Sequence, residues 1–244
     1  MQELTLYDIQ SKVGAYSFTT WRARYALGYK RLPFRTVWVE IPDIRDVCIR
    51  IGAPPTNKWP DDSDCYTLPV VQDPNTGRIV SDSFKIALYL DDVYPEAPLL
   101  FPHRDLGLQR AFQDCYHCSF LSAITKPLRH KSLSAFDERT KAYLDRQPGI
   151  ELGRMSAGDT NQAMGKAKEA LGWVQTCILA NGDDAVFLAG EMLSYSDLVV
   201  VASLKWLSKA SADDWDMISS WHGGRWRRLL LVAEQLVPTD IEDR

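Results

Sequence analysis

Apolar residues change their spacing several times within the first 95 residues and then keep helical spacing through most of the remaining chain. Leu4–Ile9 alternates as a strand does, whereas Trp21, Tyr25 and Tyr29 recur every four residues, as on one face of a helix. This contrast predicts two unlike domains. We place them at residues 1–95 and 105–244, joined by a proline-punctuated linker at 96–104.

The first domain is predicted to follow the order β-α-β-α-β-β-α. A second strand at Phe34–Val39 precedes a helix that we expect to end at Gly52. Residues 53–65 contain three prolines and are expected to form an irregular connection. The turn residues of Asp73–Gly77 predict a hairpin, and the last helix follows Asp82. This α/β order is that of thioredoxin-like domains.

The second domain is predicted to be an all-α helical bundle. Leu108 and Phe112 begin one apolar helix face, and Ala163–Ile178 forms a second, longer one. Ser194 and Asp197 have the spacing of a capping box, with aspartate in place of the usual glutamate or glutamine. A third helix therefore begins at that point.

A hydroxyl-rich segment lies where the first predicted helix begins. Ser17, Thr19 and Thr20 fall within this segment. The unpaired amides and the positive dipole of a helix start stabilise an anion placed beside them. The alternative is that one of these hydroxyls only caps the helix.

Two further segments could bind an extended, charged ligand. Pro69 opens an inner strand, and a cis Leu68–Pro69 bond would present the backbone of Leu68 to such a ligand. Asp82 and Ser83 begin the third helix, where they are N-cap residues by default. The amide and hydroxyl of Ser83 can also donate to an anion. In the predicted strand order, these segments and the hydroxyl-rich segment meet at one cleft.

The chain resembles glutathione transferases, and most closely their fungal etherase-like group, which is related to bacterial β-etherases. The resemblance covers the first domain strongly and the second more weakly, through Gly190 and Ser194–Asp197. In the first domain it lies in Trp21–Leu27, Thr36–Glu40, Tyr66–Val70 and Val80–Phe84.

The resemblance implies the glutathione transferase fold in a cytoplasmic homodimer that acts in detoxification. Such an enzyme activates glutathione, its co-substrate, for attack on small aromatic or lignin-derived electrophiles. Ser17 matches the family's serine that donates to the glutathione sulfur. Thr19 and Thr20 remain alternatives, because Phe18 stands where the family usually has proline.

Other site residues follow from the same resemblance. Leu68, with Pro69, matches the residue whose backbone pairs with the cysteinyl part of glutathione. Asp82 and Ser83 match the pair that holds the γ-glutamyl group. Lys58 is the expected partner of the glycyl carboxylate. Tyr116 and Phe120 either form the wall for the hydrophobic co-substrate or pack in the core.

Composition and cysteine placement limit the other functions. The chain has 28 Lys and Arg against 32 Asp and Glu, a net charge of −4, which argues against nucleic-acid and anionic-membrane partners. The five cysteines suit a reducing compartment, and the N-terminus shows no secretory signal, so we expect a soluble, cytoplasmic protein. Cys115 and Cys118 have CxxC spacing, but no second ligand pair follows, so we expect no metal.

The sequence also bears on two competing functions. A thioredoxin-type oxidoreductase is excluded, because no CxxC precedes the first helix. The same absence of cysteine from the segment before Trp21 favours conjugation or thiolysis over thiol transfer. A non-catalytic carrier of polyphenols on the same scaffold remains the alternative.

Overall fold

A computed structural model describes residues 1–147 and 155–238. In the first domain, the predicted strand–helix order is confirmed. Its elements are β1 (Leu4–Ile9), α1 (Phe18–Tyr29), β2 (Phe34–Val39), α2 (Ile44–Ile51), β3 (Asn57–Lys58), β4 (Asp64–Cys65), β5 (Val70–Asp73), β6 (Arg78–Ser81) and α3 (Ser83–Val93).

Four of these strands form one mixed sheet in the order β2-β1-β5-β6. β1 is parallel to β2 and antiparallel to β5, and β5 is antiparallel to β6. Leu4 and Leu6 of β1 are fully buried in the main core, which also contains α1 and α3 residues. Tyr7 packs on the other face with Ile44 and Cys48 of α2. Helices therefore cover both faces of the sheet, as in a thioredoxin-like domain.

The connection after α2 differs in part from the prediction. Gly52 ends α2 with a φ of 77°, as expected for a left-handed C-terminal residue. Residues 53–65, expected to be irregular, contain the short antiparallel pair β3–β4, in which Asn57 faces Cys65 and Lys58 faces Asp64. A strand of two residues is too short to show alternation, so no period in the sequence could reveal it.

The described part of the second domain is mainly helical, and residues 181–194, between two of its long helices, contain only turns, irregular backbone and two isolated β-bridges. Its helices are α4 (Leu106–Tyr116), α5 (Ser122–Ser132), α6 (Glu138–Asp145), α7 (Ala157–Leu179), α8 (Tyr195–Ala210) and α9 (Ala212–Gln235). A π-helical turn at His117–Leu121 joins α4 to α5, and α9 is kinked at Trp221–Gly224. Residues 148–154 and 239–244 of the predicted domain lie outside the described residues. The described helices include none long and apolar enough to cross a membrane.

The buried face of α4 is not the predicted one. Leu108 is 72% exposed, whereas Gln109 and Gln113 are buried. The side-chain oxygen Oε1 of Gln109 accepts from the amide and hydroxyl of Ser196, and Oε1 of Gln113 accepts from the Tyr195 hydroxyl. These bonds to the start of α8 satisfy two buried amide side chains, which a hydrophobicity pattern reads as exposed.

The predicted capping box at the start of α8 is confirmed. Asp197 accepts hydrogen bonds from the amide and hydroxyl of Ser194 and from the amide of Leu188. Burial raises the pKa of the Asp197 carboxyl to about 6, although these bonds act in the opposite direction. The capping box fixes the start of α8, and α8 is the helix that packs against α1.

Candidate functional site

A cavity of about 940 Å³ opens beside the N-terminus of α1. The end of β1, the start of α2 and the segment before β5 form its walls on the first domain, and α6 closes it from the second. Its lining includes Ile9, Thr19, Ile44, Arg45, Trp59, Tyr66, Leu68 and Tyr143. The cavity is therefore a cleft between the two domains with a mainly apolar lining, large enough for a small organic ligand.

The three candidate hydroxyls differ in where they lie. Ser17 is the N-cap of α1, and its oxygen lies 2.8 Å from the Thr19 hydroxyl. Thr19 lines the cavity and donates a long hydrogen bond of 3.4 Å to the Leu68 carbonyl. Thr20 is fully buried, and its hydroxyl donates to the Ser17 carbonyl. The Ser17 and Thr19 hydroxyls thus form a hydrogen-bonded pair, of which Thr19 lines the cavity. Thr20 does not line the cavity.

The Leu68–Pro69 peptide bond is cis, as predicted. β5 begins directly after it at Val70, and Leu68 lines the cavity. The bond between Thr19 and the Leu68 carbonyl therefore joins the start of α1 to the cis-proline segment.

Asp82 and Ser83 lie together where β6 meets α3. Asp82 is the N-cap, and its Oδ1 accepts from the amides of Phe84 and Lys85. Its φ of 79° lies in the left-handed region, which is rare for a residue other than glycine and is often retained at functional sites. Ser83 is buried, and its hydroxyl lies 3.0 Å from that of Tyr195.

The structure does not bring Lys58 into the lining of the cavity. Its ammonium pairs with Asp64 at 2.9 Å and donates to the Asp62 carbonyl. Arg45, in the first turn of α2, lines the cavity instead. Arg45 was not among the predicted site residues, although it is a basic residue at the start of the second helix.

Tyr116 and Phe120 are both completely buried. Their rings stack with centroids 5.2 Å apart, and the Tyr116 hydroxyl bonds to Ser203 of α8. Both side chains thus pack in the core, which was the alternative considered. The aromatic side chains that line the cavity are Trp59, Tyr66 and Tyr143, and no pattern in the sequence marks Tyr143.

Within the described ranges, no group of three or more His, Cys, Asp or Glu side chains could hold a metal ion. Cys115 and Cys118 are free, exposed thiols at the junction of α4 and the π-helical turn. The CxxC spacing thus belongs to a helical surface.

Comparison with known proteins agrees with this architecture. Residues 16–93 match the family model for the N-terminal domain of glutathione S-transferases, and residues 107–236 match the model for their C-terminal domain. A glutathione S-transferase-like protein of Aspergillus flavus, ustS, is 24% identical over 94% of this chain and 88% of its own length.

Two solved fungal structures superpose over nearly the whole chain. A glutathione S-transferase of Ceriporiopsis subvermispora, in complex with glutathione, is 30% identical with a TM-score of 0.89, covering 98% of this chain and 100% of that one. A glutathione transferase of Phanerochaete chrysosporium is 33% identical with a TM-score of 0.90, covering 98% and 99%. With both family models matched in order, the chain belongs to the glutathione S-transferase family.

Proposed function

We propose that the chain is a glutathione transferase that uses a hydroxyl group to activate the glutathione thiol for attack on small aromatic electrophiles. One observation carries this proposal. The Ser17 hydroxyl lies 2.8 Å from that of Thr19, and Thr19 lines the cavity and donates to the Leu68 carbonyl. Support for the co-substrate comes from the family membership and from the relative of Ceriporiopsis subvermispora whose structure contains glutathione.

Glutathione binding would release the Thr19 hydroxyl for catalysis. The Leu68 carbonyl would accept the cysteinyl amide of glutathione, as the family resemblance implies. Thr19 would then exchange its long, 3.4 Å bond to that carbonyl for a charge-assisted bond to the sulfur. The Ser17 hydroxyl, 2.8 Å away, would donate to Thr19 and strengthen its bond to the thiolate.

These groups can supply the free energy that the thiolate needs. A thiol with a pKa near 8.5 is about 3% ionised at pH 7, and lowering its pKa to ~6.5 requires about 2.7 kcal/mol. A charge-assisted hydrogen bond contributes about 1.5–3 kcal/mol and a helix N-terminus about 0.3–1 kcal/mol. One hydroxyl at the start of α1 therefore suffices, without a general base.

The remaining parts of glutathione fit along the same cleft. Ser83 would bind the γ-glutamyl carboxylate through its amide, the first of α3, and through its hydroxyl. The Oδ2 oxygen of Asp82 forms no hydrogen bond with the described residues and can accept from the γ-glutamyl ammonium. Arg45 is favoured over Lys58 for the glycyl carboxylate, because Arg45 lines the cavity and Lys58 does not. The Arg45 guanidinium lies 3.9 Å from the Asp46 carboxylate, whereas the Lys58 ammonium is held 2.9 Å from that of Asp64.

The aromatic lining supports an aromatic co-substrate. Trp59, Tyr66 and Tyr143 can stack on a planar ring beside Thr19. Because no cysteine lies near the start of α1, we favour conjugation or thiolysis, including cleavage of lignin-derived ethers, over thiol transfer. Detoxification, the cytoplasmic location and the homodimer remain predictions.

Tyr143→Ala should raise KM for an aryl halide about tenfold, because it removes the ring that α6 contributes to the cavity. KM for glutathione should not change. The matched control is Trp173→Ala, since Trp173 is 38% exposed against 37% for Tyr143 but lies on α7, outside the cavity. Steady-state kinetics with each substrate varied in turn gives both constants.

An unchanged KM for the aryl halide in Tyr143→Ala would place the electrophile elsewhere. Retained binding of polyphenols, with no conjugate formed by the wild type from any aromatic electrophile, would favour the carrier over the transferase.

A further inference from the structure

Helix α1 carries two buried arginines whose surroundings differ. Arg24 is fully buried and forms a 2.8 Å ion pair with Asp8. Arg22 is only 3% exposed, yet it forms no ion pair with a carboxylate in the described chain, and its Nε and Nη2 have no hydrogen-bond partner there. A buried guanidinium with unpaired N–H groups is costly, which points to a role for Arg22.

Arg22 lies between its own helix and the second domain. Its guanidinium is 5.8 Å from the Phe18 ring of α1 and close enough to Tyr195 of the second domain to interact with its hydroxyl. Burial raises the pKa of Tyr195 to about 12, and the positive charge of Arg22 opposes that rise. Arg22 therefore has unpaired N–H groups and lies beside the Tyr195 hydroxyl.

The Tyr195 hydroxyl connects Arg22 to Ser83. It donates to the side-chain oxygen Oε1 of Gln113 at 2.8 Å and lies 3.0 Å from the Ser83 hydroxyl. A phenol has one proton. Since that proton goes to Gln113, Ser83 is the donor in its bond with Tyr195. The Ser83 proton is therefore engaged before any ligand arrives.

We propose that Arg22 is a positioning residue for the γ-glutamyl carboxylate of glutathione. By donating to the Tyr195 oxygen, Arg22 keeps that oxygen hydrogen-bonded when Ser83 turns its proton away from Tyr195 and donates it to the carboxylate. This inference rests on the proposed function, because it requires glutathione to bind at Ser83.

The test measures glutathione binding by titration calorimetry for the wild type, Arg22→Met, Arg22→Lys, Ser83→Ala and the double variant Arg22→Met/Ser83→Ala. Methionine fills much of the arginine volume without donors, whereas lysine keeps the charge. We expect Arg22→Met to raise the Kd for glutathione about tenfold. Arg22→Lys should retain most of the wild-type affinity. In the Ser83→Ala background, Arg22→Met should have no further effect.

Two readouts separate positioning from a purely structural role. Arg22→Met should not lower the Tm of the ligand-free protein, because it leaves no carboxylate unpaired, whereas the matched variant Arg24→Met should lower the Tm by leaving Asp8 unpaired. In steady-state kinetics, Arg22→Met should raise KM for glutathione with kcat unchanged. Glutathione amidated at the γ-glutamyl α-carboxylate should bind wild type and Arg22→Met equally.

Wild-type affinity for glutathione in Arg22→Met would overturn the inference. The same would follow if Arg22→Met lowered the affinity equally in the wild-type and Ser83→Ala backgrounds. Failure of the wild type to bind glutathione would be a different result, since it would refute the proposed function itself.

Discussion

Replacing Thr19 by valine should lower kcat/KM for conjugation about 10- to 100-fold, the loss expected when one charge-assisted hydrogen bond to the thiolate is removed. Valine keeps the shape of threonine and removes only the hydroxyl. The hydroxyl that is lost is the one that lines the cavity and reaches the Leu68 carbonyl. The pKa of bound glutathione should rise toward that of free thiol. Thiolate absorbance titrated against pH measures that pKa.

Thr20→Val is the matched control for this prediction. It makes the same chemical change one residue along, but the Thr20 hydroxyl is buried and donates to the Ser17 carbonyl. Its kcat/KM should stay near that of the wild type. If Thr19→Val is fully active and Ser17→Ala is not, Ser17 alone is the donor. Full activity in both variants would refute hydroxyl activation.

Replacing Asp8 by alanine should lower the free energy of unfolding by about 3–5 kcal/mol, the cost of breaking a buried ion pair by removing one partner. Asp8 and Arg24 are fully buried, with Arg24 Nη2 2.8 Å from Asp8 Oδ2 and 2.9 Å from the Thr36 hydroxyl. These bonds connect α1 to β1 and β2, so they also position the helix start that carries Ser17. Denaturant unfolding followed by circular dichroism measures the loss.

The exposed pair Arg110–Asp114 supplies the comparison. It joins residues four apart on α4, and both side chains are about half exposed. Asp114→Ala should hardly change the free energy of unfolding, because water already screens both charges. A similar small effect for Asp8→Ala would contradict the importance of the buried pair.

Two of the features predicted correctly from sequence have local causes. Gly52 ends α2 because glycine adopts a positive φ without strain, and the Ser194–Asp197 box is complete within four residues. The signals for these two features are contained in the residues that form them. The cis Leu68–Pro69 bond was expected instead from the position of Pro69 in the predicted β-α-β-α-β-β-α order.

The features that were missed depend on distant parts of the chain. Gln113 of α4 is buried, and the group that satisfies its side-chain oxygen is Tyr195, far along the chain. Tyr143 lines the cavity because α6 packs near the end of β2, where Arg139 bonds to Glu40 and Asp43. The Lys58–Asp64 pair has a different cause, since the two residues are close in sequence but belong to strands of two residues, which are too short to show alternation.

The central claim is that the cleft at the start of α1 binds glutathione, and thermal unfolding with and without glutathione tests it most directly. At about 100 times its Kd, glutathione should stabilise the protein by about 2.7 kcal/mol. For a chain of this size, that corresponds to a rise in Tm of about 5–10 °C. The rise should be smaller in Ser83→Ala, measured at the same concentration. An unchanged Tm for the wild type, with stabilisation by polyphenols alone, would contradict the claim.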